Sequence, residues 1–316
     1  MDVSIIILNY KTPKMCCDCI NSLINHSVGF SYEILVIDND SRDNSREIIE
    51  NQKFSHEVKY IQNNENLGTA KAFNEGAKLA KGNYLFYLNT DTLFVNNAIN
   101  IMLKYAQSHT NVAIVGGNLY NSEMKPTHSY NKIYGIEYYK IYSSLIRTLI
   151  KKVFKSKRCD EFNYKNTPLK VFYVCAAATL IKKQIFTEIG GFNEKIFIYG
   201  DEALFALECS KLGFSSVNVP NAKIIHFEGN SFAKGRNDFS AGRLRRMLSG
   251  ISIFFEEGYG KKGQEKYLRL FLKGSRKRKL FYLLFSQGKY KFYKCQVEEI
   301  KKFIKENNYG KNNGKN

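Results

Sequence analysis

Glu33-Ile34-Leu35-Val36-Ile37-Asp38-Asn39-Asp40-Ser41 is an apolar run that stops abruptly in polar turn residues. The same design occurs twice more. Val3-Ser4-Ile5-Ile6-Ile7-Leu8 runs into Asn9-Tyr10-Lys11, and Asn83-Tyr84-Leu85-Phe86-Tyr87-Leu88 runs into Asn89-Thr90-Asp91. Apolar runs of this length, bounded by turn residues, are the pattern of buried strands in a parallel sheet. In open α/β sheets ligands bind beyond the carboxyl ends of the strands. Three polar tips at three strand ends therefore predict one shared ligand crevice, and with it an enzyme.

Working outward, helical patterns over about 14–26, 43–52, 68–80 and 96–107 alternate with strands over about 3–8, 33–38, 56–61, 83–88 and 112–117. Ala72, Phe73, Ala77 and Ala80 fall on one side of the third helix, and Gly82 follows it as a stop. This alternation predicts a mostly parallel, Rossmann-like sheet with helices on both faces. Residues 132–158 hold Ile146, Leu149, Ile150, Val153 and Phe154 at helical spacing among Arg147, Lys151, Lys152 and Lys155, the pattern of a basic amphipathic helix. Residues 171–230 return to polar-tipped α/β character. Beyond 231 the pattern is helical and basic, with aromatic clusters at Phe254-Phe255 and Phe281–Phe285. The tail 307–316 contains only Asn, Gly, Lys and Tyr and reads as disordered.

The 316 residues are 44% hydrophobic, enough for a substantial core. No run approaches the ~18–20 apolar residues of a membrane span. Met1-Asp2 lacks a basic n-region, and Val3–Leu8 is too short for a signal-peptide core. Seven Cys without regular spacing fit a reducing compartment. Cys16, Cys17 and Cys19 sit inside a helical pattern with no second ligand pair at zinc spacing, so they read as helix residues. A cytoplasmic protein is expected. The net charge of +19 is uneven. Residues 132–158 hold eight Lys and Arg against one acid, and residues 231–316 hold 22 against seven. The rest of the chain is slightly acidic. Two basic blocks imply an anionic partner, either a membrane surface or nucleic acid.

The polar motifs carry candidate chemistry, and each has a plainer alternative. Asp38 at a strand end can accept a hydrogen bond from a base or ribose, or can merely order the turn before a helix. Asn66-Leu67-Gly68 before a helix, with Lys71 and then Asn74-Glu75-Gly76, suits phosphate at a helix N-terminus, or is an ordinary capping loop. Asp91 at a strand tip suits a hard divalent cation, or caps the next helix near Val95. Gly190-Gly191-Phe192-Asn193-Glu194 leads to Tyr199-Gly200-Asp201-Glu202, where one of two adjacent carboxylates can act as a general base, or both can sit at a solvated helix start. His226 ends the run Ile224-Ile225 and can ligate a metal or be a satisfied structural histidine.

Taken in order, these motifs closely resemble glycosyltransferase family 2, and within it the bacterial rhamnosyltransferase-like branch. The resemblance spans residues 3–232 and implies a GT-A nucleotide-diphospho-sugar transferase fold, followed by a basic helical extension. It divides the chain into a catalytic domain over 1–230, a helical region over 231–306 and the tail 307–316. Within the catalytic domain, 1–117 would be the nucleotide-sugar half and 118–230 the acceptor half, carrying the basic insertion 132–158. Asn9, Tyr10 and Asp38 would line the nucleotide pocket, with Asp38 on the base. Asn66, Gly68, Lys71 and Asn74 would border the diphosphate and sugar. Asn89 replaces the first acid of the family's metal motif. Asn89 and Thr90 would then lie on the donor side, and Asp91 would hold Mn²⁺ or Mg²⁺ with His226 assisting. The family's catalytic Glu-Asp pair is inverted here to Asp201-Glu202, and a later acid is replaced by Leu204. Position favours Glu202 as the base and side-chain type favours Asp201; Asp201 is the first choice, with Glu202 beside it.

The implied reaction is an inverting transfer from a nucleotide sugar to a glycan or polyprenyl-diphosphate-linked acceptor in surface-polysaccharide synthesis. dTDP-rhamnose is the first donor implied, with a UDP-hexose or UDP-galactofuranose next. The basic blocks, 132–158 and 261–294, would dock the protein peripherally on the inner, anionic face of the membrane, or else pack in a homo-oligomer. A nucleotide-dependent oxidoreductase is disfavoured, because residues 9–14 read Asn-Tyr-Lys-Thr-Pro-Lys where a Gly-x-Gly-x-x-Gly turn is needed. No nucleic-acid-binding module is recognisable, so nucleic acid is not the expected partner. A non-catalytic basic binding protein on the same scaffold is the alternative from another class.

Overall fold

A computed structural model describes residues 1–144, 161–227, 239–307 and 309. They divide into two compact units. One comprises 1–132, 161–197 and 201–227; the other comprises 133–144, 198–200, 239–307 and 309.

The first unit is built on a nine-stranded sheet. Strands β1 (Val3–Asn9), β2 (Tyr32–Asp38), β3 (Val58–Gln62) and β4 (Tyr84–Asn89) form its parallel half, in the order β3-β2-β1-β4. Helices α1 (Pro13–His26), α2 (Ser45–Asn51) and α3 (Gly68–Leu79) connect them. The expected strand–helix alternation is therefore present. β1 is buried along nearly its whole length, as its unbroken apolar run demands. Its one polar interior residue, Ser4, is satisfied: its hydroxyl donates to Glu33 Oε1 at 2.6 Å and accepts from the Gly82 N–H at 2.8 Å. Gly76 is needed for close approach, since a Cβ there would meet Ile6 Cγ2 at 2.6 Å, so α3 lies directly on β1. Cys16, Cys17 and Cys19 face the core from α1.

Beyond β4 come β5 (Thr92–Phe94), α4 (Ala98–Ser108), β6 (Val112–Tyr120), β7 (Tyr130–Asn131), β8 (Leu169–Val171), β9 (Tyr173–Val174), β10 (Ala178–Lys182), α6 (Lys183–Ile189), α7 (Asp201–Lys211) and β11 (Ser215–His226). The remaining helix of this stretch, α5 (Ile136–Ser143), belongs to the second unit. β10 runs antiparallel between β4 and β6, and β6 pairs parallel with β11. β11 therefore runs in the same direction as β4, and its carboxyl end reaches the same sheet edge as the tips of β1, β2 and β4. β5 is too short to register as an alternating run in the sequence. It pairs antiparallel with the end of β11, His226 opposite Thr92, and so sets the distance between Asp91 and His226.

The second unit is helical. It holds α5, α8 (Ala241–Phe285) and α9 (Gln287–Glu306), and α8 is broken at Gly260, where φ is +68°. An aromatic cluster of Tyr134, Tyr139, Phe254, Phe255, Tyr267 and Phe271 forms its core; Phe255 and Tyr267 stack at 4.7 Å between ring centres. Arg245 pairs with Glu299 and Glu306, tying the start of α8 to α9. The stretch 133–144, read from sequence as the start of an insertion in the acceptor half, groups with these C-terminal helices. The amphipathic pattern over 146–154 and most of the tail 307–316 lie outside the described residues. No helix among the described residues is long and apolar enough to cross a membrane.

Candidate active site

The tips of β1 and β2 lie side by side, Asn9 opposite Asp38. Asp38 is fully buried. Its Oδ2 accepts from Asn9 Nδ2 at 2.6 Å and from the Ser41 hydroxyl at 2.7 Å. Its Oδ1 accepts from the Ser41 N–H and from Gln62 Nε2, both at 2.8 Å. A carboxylate has about four acceptor positions, and all are used. Asn9 is buried as well; Tyr10, 39% exposed, and Lys11 project from this tip, with the Lys11 ammonium 5.3 Å from the Tyr10 ring centre.

A second tie joins β1 to β4. The Thr12 hydroxyl donates to Asn9 Oδ1 at 3.1 Å and lies 2.8 Å from the Thr90 hydroxyl. Ser41, Asp38, Asn9, Thr12 and Thr90 thus form one continuous chain of side-chain hydrogen bonds across three strand tips. Such a chain fixes side-chain directions before any ligand arrives.

The loop before α3 is held from the β2 tip. Asn39 Nδ2 donates to Asn66 Oδ1 at 2.9 Å, and Asn39 Oδ1 accepts from the Leu67 N–H at 2.9 Å. Asn66 Oδ1 also accepts from the Gly68 N–H at 3.0 Å. Gly68 has φ +76°, and a Cβ there would lie 2.3 Å from the Phe197 carbonyl oxygen. That approach lets the Thr69 N–H donate to the same carbonyl at 2.7 Å. Lys71, half-buried in the first turn of α3, has no ion-pair partner among the described residues. Asn74 behaves differently from the expectation. It is buried, its Nδ2 donates to the Phe192 carbonyl at 2.9 Å and to Glu194 Oε1 at 3.1 Å, and its Oδ1 accepts from the Phe192 N–H at 3.0 Å. Its amide is thus spent on the Gly190–Glu194 turn rather than aimed at the crevice.

Asn89 is fixed through its backbone, with its N–H donating to the Ala177 carbonyl at 2.9 Å. Asp91, 4% exposed, follows Thr90 in the turn between β4 and β5. His226 Nε2 lies 3.3 Å from Asp91 Oδ1, and the Phe227 N–H donates to the Asp91 carbonyl at 2.9 Å. His226 Nδ1 is buried without a hydrogen-bond partner. A carboxylate and an imidazole turned toward one another, the latter with an orphaned buried nitrogen, fit a divalent cation. Among the described residues no group of three or more His, Cys, Asp and Glu could hold a metal. A cation held by Asp91 and His226 would take its remaining ligands from oxygens of a bound molecule and from water.

Asp201 and Glu202 open α7. Asp201 is 4% exposed; its Oδ2 accepts from the Thr69 hydroxyl at 3.3 Å, and its carboxylate shares a hydrogen bond with Glu202. Burial holds the Asp201 carboxyl above the usual range, although hydrogen bonds from Glu202, Thr69 and the backbone pull it down. Glu202 is more accessible. Burial pushes the Cys175 thiol up to about 12; a hydrogen bond from the Ala177 backbone opposes this, and the charges of Glu202 and Asp91 add to it. The charges of Glu202 and Asp91 both act on this thiol, while the Asp201 carboxylate is bonded to Thr69. Burial pushes the Tyr87 phenol well up, and the charges of Asp201, Glu202 and Asp91 add to it.

Thr12, Asn39, Ser41, Gln62, Thr69 and Cys175 were not singled out by the sequence. Thr12 was the findable one, since it precedes Pro13 at the start of α1. The others are recognisable only once the strand tips are adjacent.

The polar strand tips, the loop before α3 and the carboxylate–imidazole pair lie at the carboxyl edge of a mostly parallel sheet, the arrangement of an open α/β protein. The profile of Glycosyl transferase family 2 matches residues 4–190, more than half of the chain, and the chain belongs to that family. It is 24% identical over 221 residues to glycosyltransferase GlyG of Streptococcus pneumoniae serotype 4, covering 69% of each chain. It is 28% identical over 116 residues to the poly(ribitol-phosphate) beta-N-acetylglucosaminyltransferase TarP of Staphylococcus aureus, covering 36% of each. Among solved structures, it resembles the Pyrobaculum calidifontis mannosyltransferase PcManGT in complex with GDP-Man and Mn²⁺, with TM-score 0.57 and 12% identity over 96% of this chain and 84% of that one. It also resembles GalNAc-T7 with UDP, GalNAc and Mn²⁺, with TM-score 0.60 and 17% identity over 98% and 55%. At these identities the structural likeness establishes the GT-A fold.

Proposed function

We propose that this glycosyltransferase moves a sugar from a nucleotide donor to a glycan or polyprenyl-diphosphate-linked acceptor with inversion at the anomeric carbon, and that it depends on Mn²⁺ or Mg²⁺. The observation that carries this reading is the convergence of the bonded chain Ser41–Thr90, the Asp91–His226 pair and Glu202 on one sheet edge. The nucleobase would lie against the exposed Tyr10 ring. Asp38 fixes the pocket floor through Asn9 and Ser41, and meets a base N–H when Gln62 turns away. The Asn66–Thr69 loop, the start of α3 and the free ammonium of Lys71 would receive the diphosphate. Asp91 and His226 would hold the cation, which neutralises charge on the departing diphosphate. Glu202 would take the acceptor hydroxyl proton, a role worth about 10²–10⁴ in rate. Asp201, already bonded to Thr69 and Glu202, orients that base. Asn74 is a positioning residue for the Gly190–Glu194 turn.

The donor proposed first is dTDP-rhamnose, from the branch resemblance; a UDP-hexose or UDP-galactofuranose is second. The name of the TarP relative, an N-acetylglucosaminyltransferase, favours testing UDP-sugars in parallel. The same relative, with its poly(ribitol phosphate) in the name, supports a place in bacterial surface-polymer synthesis. An acceptor of that kind is presented at a membrane, and the basic C-terminal unit would dock there on the cytoplasmic face. The test is a panel of dTDP-rhamnose and UDP-sugars scored for thermal stabilisation with and without Mn²⁺. One donor should stabilise the parent only with metal and lose the effect in Asp91→Ala. Glu202→Gln should keep that stabilisation and lose at least about a hundredfold in turnover, while Asp201→Asn loses less. Full turnover in Glu202→Gln would reject the base assignment.

A further inference from the structure

We propose that the end of α8 is a bilayer-inserting wedge, in which Leu280, Leu283, Leu284 and Phe285 enter the headgroup–acyl boundary of an anionic membrane while the cationic side chains around them bind the headgroups. This deepens, and rests on, the membrane-facing part of the proposed function.

The first observation is exposure. Leu280 is 63% exposed, Leu283 55%, Leu284 80% and Phe285 57%. Leu284 is the most exposed large apolar side chain among the described residues. Contiguous exposed apolar surface of this kind marks an interaction site rather than an ordinary solvated face. Leu280, Leu283 and Leu284 are spaced three and four apart and lie on one stripe of the helix.

The second observation is rigidity. The other side of the same helical segment is anchored. Arg278 lies 3.9 Å from the ring centre of Tyr142 and donates to the Tyr142 carbonyl at 2.7 Å. Tyr282 stacks on Tyr293 of α9 at 5.6 Å between ring centres and 5° between planes. The chain then reverses at Ser286: its N–H donates to the Tyr282 carbonyl at 3.0 Å, and its hydroxyl accepts from the Lys289 N–H at 3.5 Å. The leucines are displayed by a packed helix end, not by a frayed loop.

The third observation identifies the occupant. From Lys266 to Val297 the chain holds ten Lys and Arg and no Asp or Glu. Arg276, Lys289, Lys291 and Lys294 are exposed on either side of the apolar tip. A second copy of this chain would bring the same cationic surface against it and be repelled. Nucleic acid would satisfy the cations and leave the leucines in water. An anionic bilayer satisfies both, and polybasic segments beside apolar side chains are what such surfaces bind. Residues 280–285 rise about 7.5 Å along a helix, matching the ~5–10 Å to which interfacial helices bury their apolar face. The sequence pointed to peripheral docking by the basic blocks; the exposed residues point to entry by the turn between α8 and α9.

The chain contains no Trp, so a single Leu284→Trp reporter in the full-length protein gives a clean signal. Vesicles of phosphatidylglycerol and phosphatidylcholine at 3:7 should shift its emission to the blue, and brominated acyl chains should quench it. Leu79→Trp, exposed on α3 in the other unit, should show neither effect. Leu283→Ser with Leu284→Ser should weaken partitioning to these vesicles by about tenfold or more at physiological salt, with circular dichroism and turnover of a soluble acceptor retained. Co-flotation of the protein with the reporter still water-like would overturn the wedge and leave docking by charge alone. No binding to anionic vesicles at all would remove the membrane-facing reading itself. A blue shift without vesicles that grows with protein concentration would make the tip a self-association surface and overturn the proposal.

Discussion

Asp38→Asn separates two roles for the residue that the sequence placed on the nucleobase. The substitution keeps size and leaves Oδ1 to accept from the Ser41 N–H and Gln62 Nε2. It puts an NH₂ where Oδ2 stood, facing Asn9 Nδ2 at 2.6 Å and the Ser41 hydroxyl at 2.7 Å. The Ser41 hydroxyl can turn, although its oxygen already accepts from the Lys11 N–H. Asn9 cannot turn without cost, because flipping its amide takes Oδ1 away from Thr12. One charge-assisted bond is lost and a buried donor is stranded, about 1.5–3 kcal/mol, and the remaining bonds lose their ionic partner. A total near 3 kcal/mol is expected, a large part of the ~5–15 kcal/mol that stabilises a typical domain. Urea unfolding without nucleotide, at unchanged slope, measures it. A change below about 0.5 kcal/mol, the range of an ordinary surface substitution, together with a large loss of donor affinity, would refute the structural role of Asp38 and leave it as a direct ligand contact alone.

Gly68→Ala should cost about 2–3 kcal/mol, from the positive φ and the lost Thr69–Phe197 hydrogen bond, and weaken donor binding. Gly190→Ala, with φ +89° and nothing within 4 Å of the added carbon, should cost only the backbone part; equal losses in the two would show that the Phe197 contact is unimportant. Thr12→Val removes the link between the Asn9 and Thr90 tips and should cost about 1 kcal/mol and raise the donor KM, whereas Thr12→Ser restores both in steady-state assays. Asp201 carries a raised pKa caused first by burial, so its contribution to stability is fully present below the unfolded value of 3.8 and is lost as pH rises through the folded value. Asp201→Asn, which mimics the protonated form, should therefore gain stability relative to the parent as pH rises above 3.8. Urea midpoints at acid and neutral pH check this, and a gain confined to acid pH would contradict it.

Three of the four strands in the parallel half were legible because each is an apolar run with a polar stop; β3 alternates and is only partly buried, and α3 ends at Leu79 with Ala80 as its cap, before the expected stop at Gly82. What the sequence could not show is pairing between distant segments. β5 is three residues long and carries no period, yet its pairing with β11 is what brings His226 to Asp91. The same limit explains Asn74. Its place in the first turns of α3, after a glycine loop, suggested a donor contact, but burial under the Gly190–Glu194 turn commits its amide elsewhere. For the carboxylate pair, residue type pointed to Asp201 and position to Glu202. The choice turns on direction, which adjacent residues at a helix start do not share. Asp201 turns to Thr69 and disappears from solvent, whereas Glu202 stays accessible and raises the same Cys175 thiol that Asp91 raises. A proton acceptor must reach the substrate and lie near the leaving group's countercharge. On the proposed assignment to Glu202, the more accessible of the two, the inversion of the pair keeps the base by position and adds one methylene to its reach.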